Sequence, residues 1–364
     1  GLGTPDPASY SYFTDGLLVV ADGRVQAVGE AAELLPTLPA GTPVEHSPEG
    51  LIMPGMIDTH VHMPQLAVMA SYGTQLLEWL ETYTFPTESR FADADWSAKQ
   101  SKVFLDLLLA HGTTSALVFS TSHKVASEAL FSAAHAYNMA ITTGRVMMDC
   151  NAPDGVRDTA EASYEESREL IARWHGTGRQ RYAVTPRFAA TSTPEQLSYA
   201  GKLMTEAEGL LMQTHWAENK AEIAWIAELF PERASYLDVY DHFGLLGPRS
   251  VLAHGIHIDD ADRARLAETG TRIAFCPTSN TFLGSGLFDL ASARGADVEV
   301  GLASDVGGGT SLSMLVTMAE AYKVCQLRGQ SLNPFQAFYM ATLGNARVLH
   351  QEAETGNLAP GKMA

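Results

Sequence analysis

Short apolar, β-branched runs recur along this chain, and between them lie stretches whose apolar positions return every three or four residues. The runs are Leu51 to His62, Thr113 to Phe119, Ala140 to Met148, Tyr182 to Phe188, Leu210 to His215, Ser250 to His254, Arg272 to Cys276 and Val298 to Asp305. Their near-continuous hydrophobicity predicts strands buried on both faces, as in a parallel sheet. The intervening patterns predict helices. Ala94 to His111 is closed by Gly112, Pro194 to Glu208 sits behind the cap residue Thr193, Asp259 to Thr269 stops at Gly270, and Ser311 to Leu327 follows the last strand. Eight such strands alternating with helices predict an α/β fold of the TIM-type (β/α)8 barrel class.

Ahead of the barrel, Leu17 to Val20 and Arg24 to Val28 flank Ala21-Asp22-Gly23, which predicts a hairpin turned by Asp-Gly. Prolines at 36, 39, 43 and 48 then make a stiff connector. We therefore divide the chain into 1–50 (hairpin of a small β domain, with linker), 51–350 (catalytic barrel) and 351–364 (a return toward the small domain). On this division the small β domain looks incomplete.

Charge narrows the partners. Of 364 residues, 42 are acidic and 24 basic, for a net charge of −18, which would repel phosphate backbones and anionic lipid surfaces. Neither nucleic acid nor membrane is expected as a partner. Cys150, Cys276 and Cys325 are odd in number and far apart, so they suggest a reducing cytoplasm instead of a disulfide framework. Gly1 to Tyr12 lacks the basic and apolar regions of a leader, which fits the same compartment.

The chemistry gathers at strand ends. His60-Val61-His62 closes the first run, and residues two apart in an extended chain face the same side, so both imidazoles can reach one ion. Alone, this is also what two ordinary loop histidines would give. His215 and Glu218 follow the fifth run, His254 the sixth and Asp305 the eighth, the rim where such barrels place their active sites. Three imidazoles and a carboxylate, His60, His62, His215 and Asp305, form an open catalytic set for one ion per chain. Zinc suits these ligands best, and iron or manganese would also fit. Glu218, His254 and Asp305 are then the candidates for proton transfer and charge stabilisation. No lysine stands at the fourth strand end to bridge a second metal; Arg187 stands there. Gly307-Gly308-Gly309 lacks the Lys-Ser/Thr of a phosphate loop and predicts close backbone packing.

Pro54 to His62 (PGMIDTHVH) resembles the first-strand motif of the amidohydrolase superfamily, and His215, His254 and Asp305 match its later positions in order. Leu76 to Phe91, Thr185 to Phe188 and Ser304 to Leu315 narrow the resemblance to the branch that deaminates guanine. It runs from about residue 50 to the end. This resemblance implies a zinc-dependent deaminase of a small purine, with His60, His62, His215 and Asp305 on the metal. It also implies Glu218 and Asp305 handling protons, His254 against the substrate, and Gln65, Arg187 and Phe188 holding the purine. Relatives of this kind continue past the Leu358 to Lys362 segment into further strands, whereas this sequence stops at Ala364. An arginine fork suits adjacent O6 and N7 acceptors, and a homodimer is expected. Trp79, Phe85 and Phe91 could line a lid, although their mixed spacing suits core residues equally. Two other readings share these residues: a sister hydrolase of another aminopurine, a pterin or a triazine, and a barrel retained for assembly without catalysis.

Overall fold

The computed structural model describes residues 9–72 and 75–364; the start of the chain, read above as lacking a leader, lies partly outside that range. Strands β1 (Gly16–Ala21) and β2 (Arg24–Glu30) pair antiparallel as a separate two-stranded sheet. Asp22 and Gly23 between them have φ of 52° and 70°, the left-handed conformation that a two-residue hairpin turn requires. The end of the chain returns to this hairpin. Val25 N donates to Lys362 O and Ala364 N to Gly23 O, while Arg24 pairs with Glu354.

The main sheet contains β3 (Met56–His62), β4 (Thr113–Phe119), β5 (Ala140–Gly144), β6 (Val146–Met147), β7 (Arg181–Pro186), β8 (Leu211–Trp216), β9 (Ser250–His254), β10 (Arg272–Phe275) and β11 (Val300–Leu302). Every pairing in it is parallel, in the order β3-β4-β5-β7-β8-β9-β10-β11 with β6 also on β7. Helices fill the connections, as the alternation predicts, and the strands curl into the (β/α)8 barrel. Its two end strands meet through Thr59 Oγ1 donating to Leu302 O, Asp305 N to His60 O and His62 N to Val306 O. Asn345 spans the same seam, donating from Nδ2 to Ile57 O and Leu302 O and accepting from Leu302 N. Ile57, Leu117, Ala183, Leu211, Val251, Ala274 and Ala303 fill the interior, a packed core of the kind this fold needs.

Several strands shift by a residue or two from the pattern-based bounds, and three depart further, each for a local reason. Leu51 to Gly55 lies outside the sheet, with Leu51 71% exposed, because β4 offers Met56 its first partner and Pro54 has no N–H to give. The third run breaks at Arg145, whose N–H turns to the Tyr182 hydroxyl. The eighth shortens because the N–H groups of Ser304 and Asp305 go to the Asp58 carboxylate and the His60 carbonyl. The caps at Thr193 and Asp259 are present, although the helix behind Thr193 ends at Leu203 and the last strand's helix starts only at Met314. No helix among the described residues is long and apolar enough to cross a membrane.

Candidate active site

The pleat of β3 turns His60 and His62 to one side, with their Nε2 atoms 3.2 Å apart. His215, near the end of β8, brings its Nε2 to 3.2 Å from that of His62, and Asp305 places Oδ1 at 3.2 Å and 3.3 Å from His60 and His62. His254 ends β9 and joins them: ligand atoms of His60, His215, His254 and Asp305 all lie within 4.8 Å of one another. Five groups thus converge, one more than the four-ligand set expected from sequence.

Neighbouring groups fix how these rings face. His215 Nδ1 donates to the Arg187 carbonyl at 2.7 Å, which leaves its Nε2 with a lone pair toward the cluster. Asn280 Nδ2 lies 2.9 Å from His254 Nδ1, so an amide donating there puts the His254 proton on Nε2. Burial lowers the His62 pKa to about 4 and holds that of His215 well below the ordinary value. Imidazole nitrogens packed this closely beside one carboxylate are crowded, and a bound cation would turn that crowding into ligation. Burial raises the Asp305 carboxyl, but hydrogen bonds from His60 and His62 outweigh it and hold the pKa well below normal. The donor set therefore fits a divalent ion.

The backbone is bent to serve this rim. Ala217, His254 and Asp305 have φ of 49°, 77° and 50°, a region that side chains enter at a cost and that clusters at functional sites. Asp58 braces the last turn by accepting from Ser304 N and Oγ and from His60 N; burial raises its pKa to about 6. Gly309 is required here, since a Cβ would lie 1.8 Å from the Ser304 carbonyl oxygen, as expected for close backbone packing.

Glu218 lies just beyond β8, fully buried. Its Oε2 is 3.3 Å from His254 Nε2, and its Oε1 accepts from Ser285 Oγ at 2.9 Å. Burial, then the charges of Asp305 and Glu222, push its pKa well above the usual carboxylate value. Glu222 accepts from the N–H groups of Glu218 and Asn219, fixing the turn that presents Glu218.

One cavity joins this cluster to Gln65, Arg187 and Phe188, and Trp79, Leu76 and Leu80 line it too. Trp79 is thus a wall residue, whereas Phe85 packs beneath the Arg187 guanidinium at 5.3 Å and Phe91 belongs to a separate core cluster. The fork of Arg187 is partly committed. Nη1 donates to Glu88 Oε2 at 2.7 Å, and the other Glu88 oxygen accepts from Gln65 Nε2 at 2.9 Å. Gln65 Oε1 accepts from Gly307 N, so the amide's orientation is set by its partners. Glu88, Glu222, Asn280 and Ser285 escaped the sequence reading, because none of them lies at a strand end. Glu88 left one signal, a carboxylate inside the distinctive Leu76 to Phe91 stretch.

Residues 51–364 match the profile of the Amidohydrolase family. The guanine deaminase of Escherichia coli (strain K12) is 48% identical over 353 residues, 97% of this chain and 80% of that one, and its solved structure superposes with a TM-score of 0.94. A probable guanine deaminase of Deinococcus radiodurans is 40% identical over 98% of this chain and 83% of its own length. The guanine deaminase of C. acetobutylicum, solved with guanine bound in the active site, superposes with a TM-score of 0.89 at 29% identity, covering 96% of this chain and 84% of that one.

Proposed function

This chain belongs to the amidohydrolase family, and from that premise we infer that it hydrolyses guanine to xanthine and ammonia. The observation that carries this reading is that one cavity holds both a metal-ligand cluster with a protonatable Glu218 and an arginine, amide and phenyl set suited to a purine.

His60, His62, His215 and Asp305 would hold one divalent ion, with zinc first by ligand chemistry and iron or manganese compatible. Bound there, such an ion would supply Lewis acidity that makes water a nucleophile near neutral pH. Glu218 carries a proton to the ring nitrogen beside the carbon that bears the amino group, and Asp305 shares in proton transfer. His254, its Nε2 facing the cavity, stabilises negative charge that develops on oxygen at the reacting carbon. Arg187 donates to the O6 and N7 edge, Phe188 covers the ring face, and Gln65 meets the remaining edge with the capacity that Glu88 and Gly307 leave it.

Residues 51–350 form the catalytic domain, with 1–50 and 351–364 contributing to a small β unit. A cytoplasmic homodimer is the expected working form, checked by light scattering and cell fractionation. Ammonia release from guanine, 8-oxoguanine, adenine, cytosine and pterins tests the substrate reading. Guanine should dominate, and a pterin or another aminopurine turned over faster would assign the chain to a sister hydrolase. Elemental analysis should find one ion per chain, and full activity after exhaustive chelation would remove the metal from the mechanism.

A further inference from the structure

Glu88 has no exposed surface and does not itself line the cavity, yet it touches Gln65 and Arg187, which do. We propose that Glu88 cancels the charge preference of Arg187, so that the Arg187–Glu88 pair grips neutral purines by hydrogen bonds and gives purine anions, including the deprotonated form of the xanthine product, no added hold. The proposal rests on the guanine reading above and extends it to product release.

A buried guanidinium is among the strongest anion grips a protein can build. Left alone beside a purine site, Arg187 would hold an anionic ring more tightly than a neutral one. Glu88 removes that preference. Its Oε2 takes Arg187 Nη1 at 2.7 Å, and Arg187 makes no other ion pair among the described residues. Its Oε1 takes Gln65 Nε2 at 2.9 Å, so one carboxylate fixes both substrate-facing groups. The pair still offers the N–H donors that neutral O6 and N7 acceptors need, but its net charge is zero.

The chemistry of the reaction makes this matter. Guanine is neutral near physiological pH. In xanthine, two carbonyl groups acidify the ring N–H, so a fraction ionises in the same range. A paired arginine therefore binds the reactant by hydrogen bonds without gaining Coulomb attraction for the ionised product. Glu88 acts through Arg187 and Gln65 and is a positioning residue. The titratable groups that sense the pair are His62 and His215, next to Arg187, and His123, next to Glu88. Hypoxanthine, with one carbonyl group fewer and a less acidic ring N–H, stays neutral while xanthine begins to ionise and serves as the internal reference for any change in those groups.

The test measures binding of xanthine and hypoxanthine to the metal-loaded full chain by calorimetry, across the pH range in which xanthine ionises, for the parent and Glu88→Gln. In the parent, xanthine affinity relative to hypoxanthine should not rise as pH rises. In Glu88→Gln, the affinity of the xanthine anion relative to hypoxanthine should rise at least about tenfold, whatever change in positioning the two ligands share. A parent that binds xanthine more tightly on ionisation overturns the proposal, as does a variant in which both ligands shift in parallel. Should the variant not fold, the parent series decides alone. Because binding is read, the outcome stands apart from the substrate reading, which fails separately if the parent releases no ammonia from guanine.

Discussion

Arg181 opens β7 and Arg272 opens β10 at the lower rim of the barrel; Arg187 follows β7 and His254 ends β9 at the upper rim. The residue types are alike and their partners are not. Arg181 Nη1 donates to the carbonyls of Leu349 and His350, and Arg272 Nη1 to that of Val348, so both arginines clamp the end of the 343–348 helix under the barrel. Their partners are backbone groups that are otherwise left over at a helix end. On the upper rim the side chains face one another instead, with His62 Nε2 3.2 Å from the Nε2 atoms of His60 and His215 and 3.3 Å from Asp305 Oδ1. A rim whose side chains close on backbone stabilises the fold, and one whose ligand-type atoms crowd together is prepared to receive a cation.

Substitutions can break this contrast, beginning with the largest effect. Glu218→Gln should keep its metal, measured by elemental analysis, and lose about 10² to 10⁴ in kcat, the usual contribution of a general acid–base. A variant with near-normal kcat would shift the proton to Asp305 or His254. Next, Arg187→Ala should lower kcat/KM for guanine by about 10- to 100-fold, as expected for a charged hydrogen bond, with a smaller loss for 2-aminopurine, which lacks the 6-oxo group. An unchanged preference between the two substrates would show that Arg187 does not read that group. At the lower rim the sign of the experiment reverses. Arg181→Met should cost about 1 to 3 kcal/mol in urea unfolding while kcat stays within about twofold. A large kcat loss there would erase the division between the rims.

The smallest effect is a pH slope. Burial lowers the His62 pKa to about 4 and that of His254 to about 3, against 6.5 for an ordinary histidine. Between those values the unfolded chain binds protons that the folded, metal-free chain refuses. The stability that these two histidines contribute is then complete above about 6.5 and declines as pH falls toward about 4. His254→Gln should flatten the slope measured by urea titration, and an unchanged slope would place the acid sensitivity elsewhere.

The barrel and the clustering of His60, His62, His215, His254 and Asp305 at its rim were legible because periodicity and strand ends are local properties. A run such as Val298 to Asp305 announces both a strand and the carboxylate at its end. Glu88 was not legible in this way, since its meaning lies in Gln65 and Arg187, 23 and 99 residues distant, and no spacing rule links them. Asn280 is similar: it sits in the short Pro277–Phe282 helix and acts only through His254. Trp79 reads from spacing as a core residue because a cavity wall and a core look the same from one chain segment. The strand bounds failed where a side chain captured a ladder N–H, as Asp58 does with Ser304.

The seam between β3 and β11 also orders events in time. Asp58 and Ser304 are 246 residues apart, so the two end strands meet only after almost the whole chain has been gathered. Closing so long a loop is entropically costly and tends to come late in folding. His60 and His62 stand on one side of that seam and Asp305 on the other, so a nascent or partly folded chain presents an incomplete ligand set. Tight ion capture would then report ring closure itself, and the rate at which refolding protein takes up metal would measure the last step of its assembly.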